Sequence, residues 1–254
     1  MTEKPLSGRA ALVTGGGRGI GEAAAKLLAA TGARVAVSAR SRDEIVAVAE
    51  SIAASGGRAV AIPCDVTREE DVRDLGRRVR NDLGHVDILV LSAGAAASAP
   101  FDRITGAQWD EMMNANAKSA FLCAREFAPA MVERKWGRIV AVASVAGLEG
   151  GKYIAHYAAS KHALVGFVRS LAAELDKSGV TVNAICPGYV DTAITAQALS
   201  NVMQKTALTR TEALEAILKT TGQKKLLTPE EVAAEIVELA LEESGDVTGR
   251  AVAF

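Results

Sequence analysis

The sequence predicts one α/β domain of the doubly wound class, a seven-stranded parallel sheet covered by helices on both faces. Three observations carry that expectation. Short β-branched runs alternate with longer Ala/Leu-rich stretches along the whole chain, a glycine cluster separates the first such run from the first helical stretch, and no repeat or linker divides the sequence. A length of 254 residues suits a single large domain with a substantial core.

The runs Ala10-Ala11-Leu12-Val13-Thr14, Arg34-Val35-Ala36-Val37-Ser38 and Ala59-Val60-Ala61-Ile62 are short and largely apolar, as strands buried on both faces must be. Asp87-Ile88-Leu89-Val90-Leu91, Arg138-Ile139-Val140-Ala141-Val142, Val180-Thr181-Val182-Asn183-Ala184-Ile185 and Arg250-Ala251-Val252-Ala253-Phe254 complete seven. Helices between them begin at Ser41 with Glu44, at Thr67 with Glu70, and at Thr228-Pro229-Glu230-Glu231, where Thr228 caps, Pro229 fits the first turn and Glu231 closes a capping box. Such alternation implies right-handed crossovers and hence parallel strands. From about Thr192 to Lys225 the rhythm breaks into a polar, helix-prone stretch after the sixth strand. An insertion at the carboxyl end of a strand is where a substrate lid sits, and a solvated helical excursion also fits its composition.

Composition narrows the function classes. The net charge is −1, from 29 basic and 30 acidic residues, and no basic block stands out, so neither nucleic acid nor an acidic membrane surface is indicated as a partner. The hydrophobic residues, 49% of the chain, are dispersed, and no run is long enough to span a membrane. A small-molecule partner is expected. Met1-Thr2-Glu3-Lys4-Pro5-Leu6 has neither a signal-peptide nor a transit-peptide pattern, which makes a cytoplasmic location the expectation. Cys64, Cys123 and Cys186 are widely spaced in apolar contexts and read as buried thiols, with no metal site implied.

The glycine cluster Thr14-Gly15-Gly16-Gly17-Arg18-Gly19-Ile20-Gly21 follows the first strand and opens a helix. Glycines there let the backbone turn sharply and approach a pyrophosphate, whose charge the helix N-terminus favours, so the fold is expected to be a Rossmann domain binding a dinucleotide. The end of the second strand then selects the nucleotide. An acid at that position would accept from the ribose hydroxyls of NAD. Here the chain reads Val37-Ser38-Ala39-Arg40-Ser41-Arg42, and Arg40, with Arg18 of the glycine loop, suits the 2′-phosphate of NADP(H) instead.

Tyr157 and Lys161 in Tyr157-Ala158-Ala159-Ser160-Lys161 share one face if the segment is helical, which lets an ammonium favour the phenolate and makes tyrosine a usable acid and base. Ser144 ends an apolar run upstream. Together, Thr14-Gly15-x-x-x-Gly19-x-Gly21, Asp65, Asn116, Ser144, Tyr157-x-x-x-Lys161 and Pro187-Gly188 resemble, in order and spacing, the short-chain dehydrogenases/reductases, over about residues 7 to 252.

That resemblance implies an oxidoreductase with a catalytic tetrad. Tyr157 would be the general acid/base, Lys161 its activator and ribose anchor, Ser144 a donor to the substrate oxygen, and Asn116 the holder of a water in the proton relay. Asn116 is preferred to Asn114 because Phe121 follows it by five residues, as in the family pattern. The resemblance further implies that Gly15, Gly17, Arg18, Gly19, Ile20, Gly21 and Arg40, Asp65 with Val66, Ala93 with Gly94, and Pro187, Gly188 and Val190 contact the cofactor, Asp65 through the adenine amino group. Thr192 would bond the nicotinamide carboxamide, and a helix cap is the competing role for it.

Two departures stand out. Leu91-Ser92-Ala93-Gly94 stands where the family has Asn-Asn-Ala-Gly, so Ser92, water or apolar packing must replace the usual side-chain ties. The C-terminus stops short of an Asp-Gly-Gly tail, which loosens the expectation of a homotetramer or dimer. Substrate choice is expected from the Leu148–His156 loop, from Ala95 to Phe101 and from the lid. The lid resembles those of bacterial reductases of 3-oxoacyl thioesters or polyketide-type ketones. An oxidative dehydrogenase of a sugar, steroid or dihydrodiol and, less favoured, a non-catalytic dinucleotide sensor are the rivals. His156, about 100° around the helix from Tyr157, reads as a solvated or interface residue.

Overall fold

Seven strands form one parallel sheet: β1 (Ala10–Thr14), β2 (Arg34–Ala39), β3 (Arg58–Pro63), β4 (Ile88–Leu91), β5 (Gly137–Val142), β6 (Val180–Cys186) and β7 (Ala251–Ala253). Their order is β3-β2-β1-β4-β5-β6-β7, with Val13 of β1 in register with Val37 on one side and Val90 on the other. The chain therefore runs outward one way from β1, returns, and runs outward the other way from β4. A crevice opens at the carboxyl ends where the direction changes. The structure, a computed structural model, describes residues 4–254 apart from the side chain of Glu242.

Strand alternation divides the core in two. On β1, Ala10 and Leu12 face a layer containing Leu75, Phe127 and Leu164, whereas Ala11 and Val13 face one containing Leu28, Ile45 and Ile236. The first layer belongs to α3 (Glu69–Leu83), α5 (Ser119–Glu133) and α6 (Ala155–Glu174); the second belongs to α1 (Gly19–Ala30), α2 (Arg42–Ala54) and α9 (Pro229–Glu238). Each fully buried leucine or isoleucine in these layers contributes about 1.5–3 kcal/mol. The doubly wound expectation, with all seven strands within one or two residues of their sequence-based bounds, is met.

The helix starts are met in part. Thr228 and Glu231 form the full capping box of α9, with Pro229 in its first turn. Ser41 stands at the N-cap of α2 but makes no side-chain cap bond, and Glu44 turns instead toward Arg18. The Thr67 start is displaced: α3 begins at Glu69, because the Thr67 hydroxyl bonds the Asp65 carboxylate at 2.7 Å and is not free to cap. α4 (Gly106–Met113) runs through a π-helical turn, Asn114–Lys118, into α5, an irregularity the sequence does not announce.

The excursion after β6 is helical, as expected, and is built from α7 (Ala193–Thr206) and α8 (Arg210–Thr221) around a small core of Leu199, Ala213 and Ile217. Its two ends are tied together. Asp191 N donates to Leu227 O at 2.8 Å, Leu227 N donates to Tyr189 O at 3.0 Å, and Val190 pairs with Leu227 as an isolated parallel bridge.

Candidate active site

A cleft of about 1430 Å³ lies across the carboxyl ends of the strands. It exceeds the roughly 300–1,000 Å³ of an ordinary small-ligand pocket, as room for a dinucleotide and a substrate together requires. All the sequence-derived cofactor residues, from Gly15 to Thr192, line it together with Ser144, Tyr157 and Lys161; Asn116 stands behind its wall.

The glycine loop fits a pyrophosphate for steric reasons visible here. Gly15 and Gly19 hold φ of 66° and 56°, in the region that penalises a side chain. A Cβ on Gly21 would stand 2.2 Å from Gly15 O, and one on Gly15 would stand 2.7 Å from Ala93 N. The loop is thus folded tightly on itself and on the segment after β4, leaving the start of α1, at Gly19, open to the cleft. Arg18 and Arg40 are exposed at one end of the cleft. Nearby, burial raises the Asp65 carboxyl, but hydrogen bonds from Thr67 and the charges of Arg40 and Arg68 more than offset this and hold it below its ordinary range.

The tie for which Ser92, water or apolar packing was expected is made by Thr14. Its hydroxyl donates to Val90 O at 3.2 Å and accepts from Ala93 N at 3.4 Å, linking the end of β1 to the loop after β4. Thr192 occupies the N-cap position of α7 without a side-chain cap bond, and its hydroxyl donates to Val190 O at 3.3 Å. The cap role is therefore not realised, and Thr192 faces the cleft beside Gly19.

At the other end stand the residues expected to act as acid and base. Ser144 ends the segment after β5, with its hydroxyl fixed by a bond from Ala146 N at 3.1 Å. Burial pushes the Tyr157 phenol above its ordinary value, the Ser144 hydrogen bond pulls it back, and the neighbouring Tyr189 raises it further. Lys161 lies on the same face of α6, as the spacing predicts, and donates from Nζ to Val142 O at 2.9 Å. Burial lowers its pKa to about 8. Its ammonium is 6.0 Å from the Tyr157 ring centroid, with its hydrogen bond going to the Val142 carbonyl.

Asn116 lies in the π-helical turn and is 1% exposed. Its Oδ1 accepts from Ala95 N at 2.9 Å, while Nδ2 donates to Ala95 O and to Ser160 Oγ, each at 2.9 Å. Ser160 Oγ in turn donates to Tyr157 O at 2.7 Å. Both Nδ2 protons are used, so this side chain is a pin between three elements. Gly94 is needed beside it: a Cβ there would stand 2.6 Å from Asn116 Oδ1.

Ser160 carries no signal of its own in the sequence beyond a hydroxyl three residues after Tyr157, a spacing that permits a bond back to the preceding turn. Gln223 is a second unheralded residue. Its Oε1 accepts from Tyr189 N at 2.7 Å and its Nε2 donates to Tyr189 O at 3.1 Å, clamping the loop after β6. His156 is not the solvated or interface residue expected; it is 1% exposed, with Nδ1 making no hydrogen bond within the chain. The cysteines are buried as expected. Burial drives the Cys64 thiol up to about 12 and raises Cys123 and Cys186, so none is a thiolate near neutral pH.

The family model for short chain dehydrogenases matches residues 9–202. The chain belongs to this family. It is an oxidoreductase by that membership, and its site has the geometry described above. A 3-oxoacyl-acyl-carrier-protein reductase of Mycobacterium tuberculosis is 37% identical over 248 residues, covering 98% of this chain and 92% of the relative. A structure from Beutenbergia cavernae, described as a putative NAD(P)-dependent gluconate 5-dehydrogenase with NADP bound at low occupancy, superposes with a TM-score of 0.90 at 36% identity, covering 99% of this chain and 97% of that one. An actinorhodin polyketide ketoreductase variant with NADPH superposes at 0.91 and 32% identity, covering 96% and 95%. As a member of the short chain dehydrogenase family, this chain lacks a helix long and apolar enough to cross a membrane among its described residues.

Proposed function

We propose that this short chain dehydrogenase catalyses NADP(H)-dependent reduction of a 3-oxoacyl thioester or similar ketone. The observation that carries the reading is the layout of one cleft, with Arg18 and Arg40 exposed at one end and the Ser144–Tyr157 pair beside buried Lys161 at the other. The 3-oxoacyl and polyketide reductases among its relatives favour the substrate class.

When bound, NADPH supplies the hydride. The glycine loop and the start of α1 would hold the pyrophosphate, Arg18 and Arg40 the 2′-phosphate, Asp65 with Val66 the adenine, and Gly94, Pro187, Gly188, Val190 and Thr192 the nicotinamide half. Ser144 and Tyr157 donate to the carbonyl oxygen, which gains negative charge as it is reduced, and Tyr157 then surrenders its proton to that oxygen. Lys161 would bind the ribose hydroxyls and return a proton to Tyr157, itself regaining one from solvent. Its lowered pKa puts the ammonium near its titration point at mildly alkaline pH, where losing a proton costs little.

The test follows NADPH oxidation with acetoacetyl-CoA and a chain-length series of 3-oxoacyl thioesters. Turnover across the series is expected. No turnover there, beside good NADPH oxidation with a plain cyclic ketone, would reject the substrate class, and reduction of NADP+ with gluconate-type polyols in its place would favour the oxidative reading that the gluconate dehydrogenase relative supports. A cytoplasmic homo-oligomer, dimer or tetramer, completes the reading. Phe121 on α5, 43% exposed and edge-on to Phe167, supports an apolar contact between copies that sedimentation would detect.

A further inference from the structure

The cofactor-discriminating end of the cleft is not simply cationic. Glu44, in the first turn of α2, lines the same end as Arg18 and Arg40. Ser41 makes no side-chain cap bond at this helix start, and the Glu44 carboxylate turns toward Arg18. Its Oε1 lies 3.7 Å from the Arg18 guanidinium, and its Oε2 lies 3.1 Å from where a Cβ on Gly17 would stand. The carboxylate therefore leans over the glycine loop, into space left by the absent side chain of Gly17. Arg40 has an acid near it too, since its charge helps hold down the Asp65 carboxyl. Each of the two cations that face the 2′-phosphate region is thus matched by a carboxylate.

We propose that Glu44 limits the preference of this chain for NADPH over NADH, by competing with the 2′-phosphate for Arg18. This rests on the reading of Arg18 and Arg40 as the phosphate contacts. The two cofactors differ only in that phosphate, which brings about −1.5 to −2 charges to a position beside the Glu44 carboxylate. Phosphate entry must either break the Arg18–Glu44 pair or leave two anions sharing one guanidinium. A ribose hydroxyl carries no charge and meets no such opposition. Both partners of the pair are solvent-accessible, with side chains 70% and 39% exposed, so water and salt screen the effect to a modest factor.

The experiment is equilibrium titration of the whole purified chain with NADPH and with NADH separately, without substrate, read by nicotinamide fluorescence. The proteins are wild type, Glu44→Gln, Arg18→Gln and the double variant. Glu44→Gln keeps the shape and removes the charge. It is expected to lower the NADPH dissociation constant roughly three- to tenfold, to leave NADH unchanged, and to lose most of that gain at about 1 M salt or in the Arg18→Gln background. An unchanged NADPH constant in Glu44→Gln, while Arg18→Gln loses NADPH, overturns the proposal alone. A ratio that changes only because NADH weakens also overturns it and makes Glu44 a ribose acceptor. If Arg18→Gln keeps its full NADPH preference, the phosphate reading of Arg18 fails and the proposal falls with it.

Discussion

Replacing Ser160 with alanine tests whether Asn116 is a structural pin for the site or a side chain that could be exchanged at little cost. The substitution removes the acceptor of one Asn116 Nδ2 proton at a position where Asn116 is 1% exposed. A buried donor left without a partner costs about 1–3 kcal/mol, a large part of the roughly 5–15 kcal/mol that holds a domain folded. The Tyr157 carbonyl also loses the Ser160 hydroxyl, but it keeps its helical partner within α6 and so adds little. Asn116→Ala removes the Ser160 bond and both bonds to Ala95 at once. If the three bonds act as one unit, the double variant costs hardly more than Asn116→Ala, and the cycle gives a coupling of about 1 kcal/mol or more. Urea unfolding of the four proteins, followed in parallel by circular dichroism and fluorescence, measures it. Steady-state kinetics add a second readout, because a positioning role lowers kcat while leaving the KM for NADPH nearly unchanged. Additive costs within about 0.5 kcal/mol, or a Ser160→Ala protein as stable and active as wild type, would refute the pin.

Other expectations follow from the same geometry. Arg40→Asp should weaken NADPH binding far more than NADH binding in fluorescence titrations, and equal losses would mean Arg40 does not read the phosphate. Gly21→Ala, whose Cβ would stand 2.2 Å from Gly15 O, should abolish cofactor binding in calorimetry while circular dichroism stays near wild type; undiminished affinity would contradict the tight-loop account. Tyr157→Phe should remove essentially all turnover on an identified substrate with NADPH binding retained, and unchanged turnover would sink the acid/base assignment. Lys161 has a folded pKa of about 8, below its ordinary 10.5, so the unfolded chain binds more protons between those values and stability from this residue rises with pH across that window. The rise is about 3 kcal/mol in full. Compared with Lys161→Met by urea unfolding from pH 7 to 10, wild type should gain relative stability above about pH 8, and parallel curves would refute the burial cost.

The sheet is legible in the sequence because every strand is a short, largely apolar run, and because parallel strands buried on both faces leave no room for another pattern. The capping signature that marks α9 at Thr228 and Glu231 recurs at Thr105 with Gln108 and at Thr209 with Glu212, where it starts α4 and α8. The same signature misleads at Ser41 and Thr67 for a reason local pattern cannot contain: Arg18 and Asp65, distant or outside the helix, claim the groups that would have capped. In the site, the glycine loop, Ser144, Tyr157 and Lys161 are legible because their chemistry demands particular side chains at particular spacings. Gln223 is not, since it acts through hydrogen bonds to backbone groups that any residue could supply, and Ser160 is not, since its partner Asn116 is 44 residues away in the chain. His156 illustrates the same limit, as helical angle gives its direction but not what packs over it.

Asn116 and Gln223 solve one problem twice. The loops after β4 and β6 leave the sheet at the edge of the cleft, where ladder hydrogen bonds end and the backbone would otherwise be free to shift. On one side a primary amide bonds both the N–H and the C=O of Ala95; on the other, a primary amide bonds both groups of Tyr189. Each side chain extends the ladder by one residue where no strand is present. A Cβ on Gly188 would stand 2.3 Å from Gln223 Oε1, and one on Gly94 would stand 2.6 Å from Asn116 Oδ1, so each pin also requires a glycine beside it. The acid/base groups therefore stand on fixed supports. The lid, by contrast, packs α7 and α8 around Leu199, Ala213 and Ile217, a core separate from the two main layers, and joins the domain through the clamped Tyr189–Leu227 base. Changes within α7 and α8 can thus alter what reaches Tyr157 without moving Ser144, Tyr157 or Lys161. This separation is why the residues that perform the chemistry are far easier to read from the chain than the residues that choose its substrate.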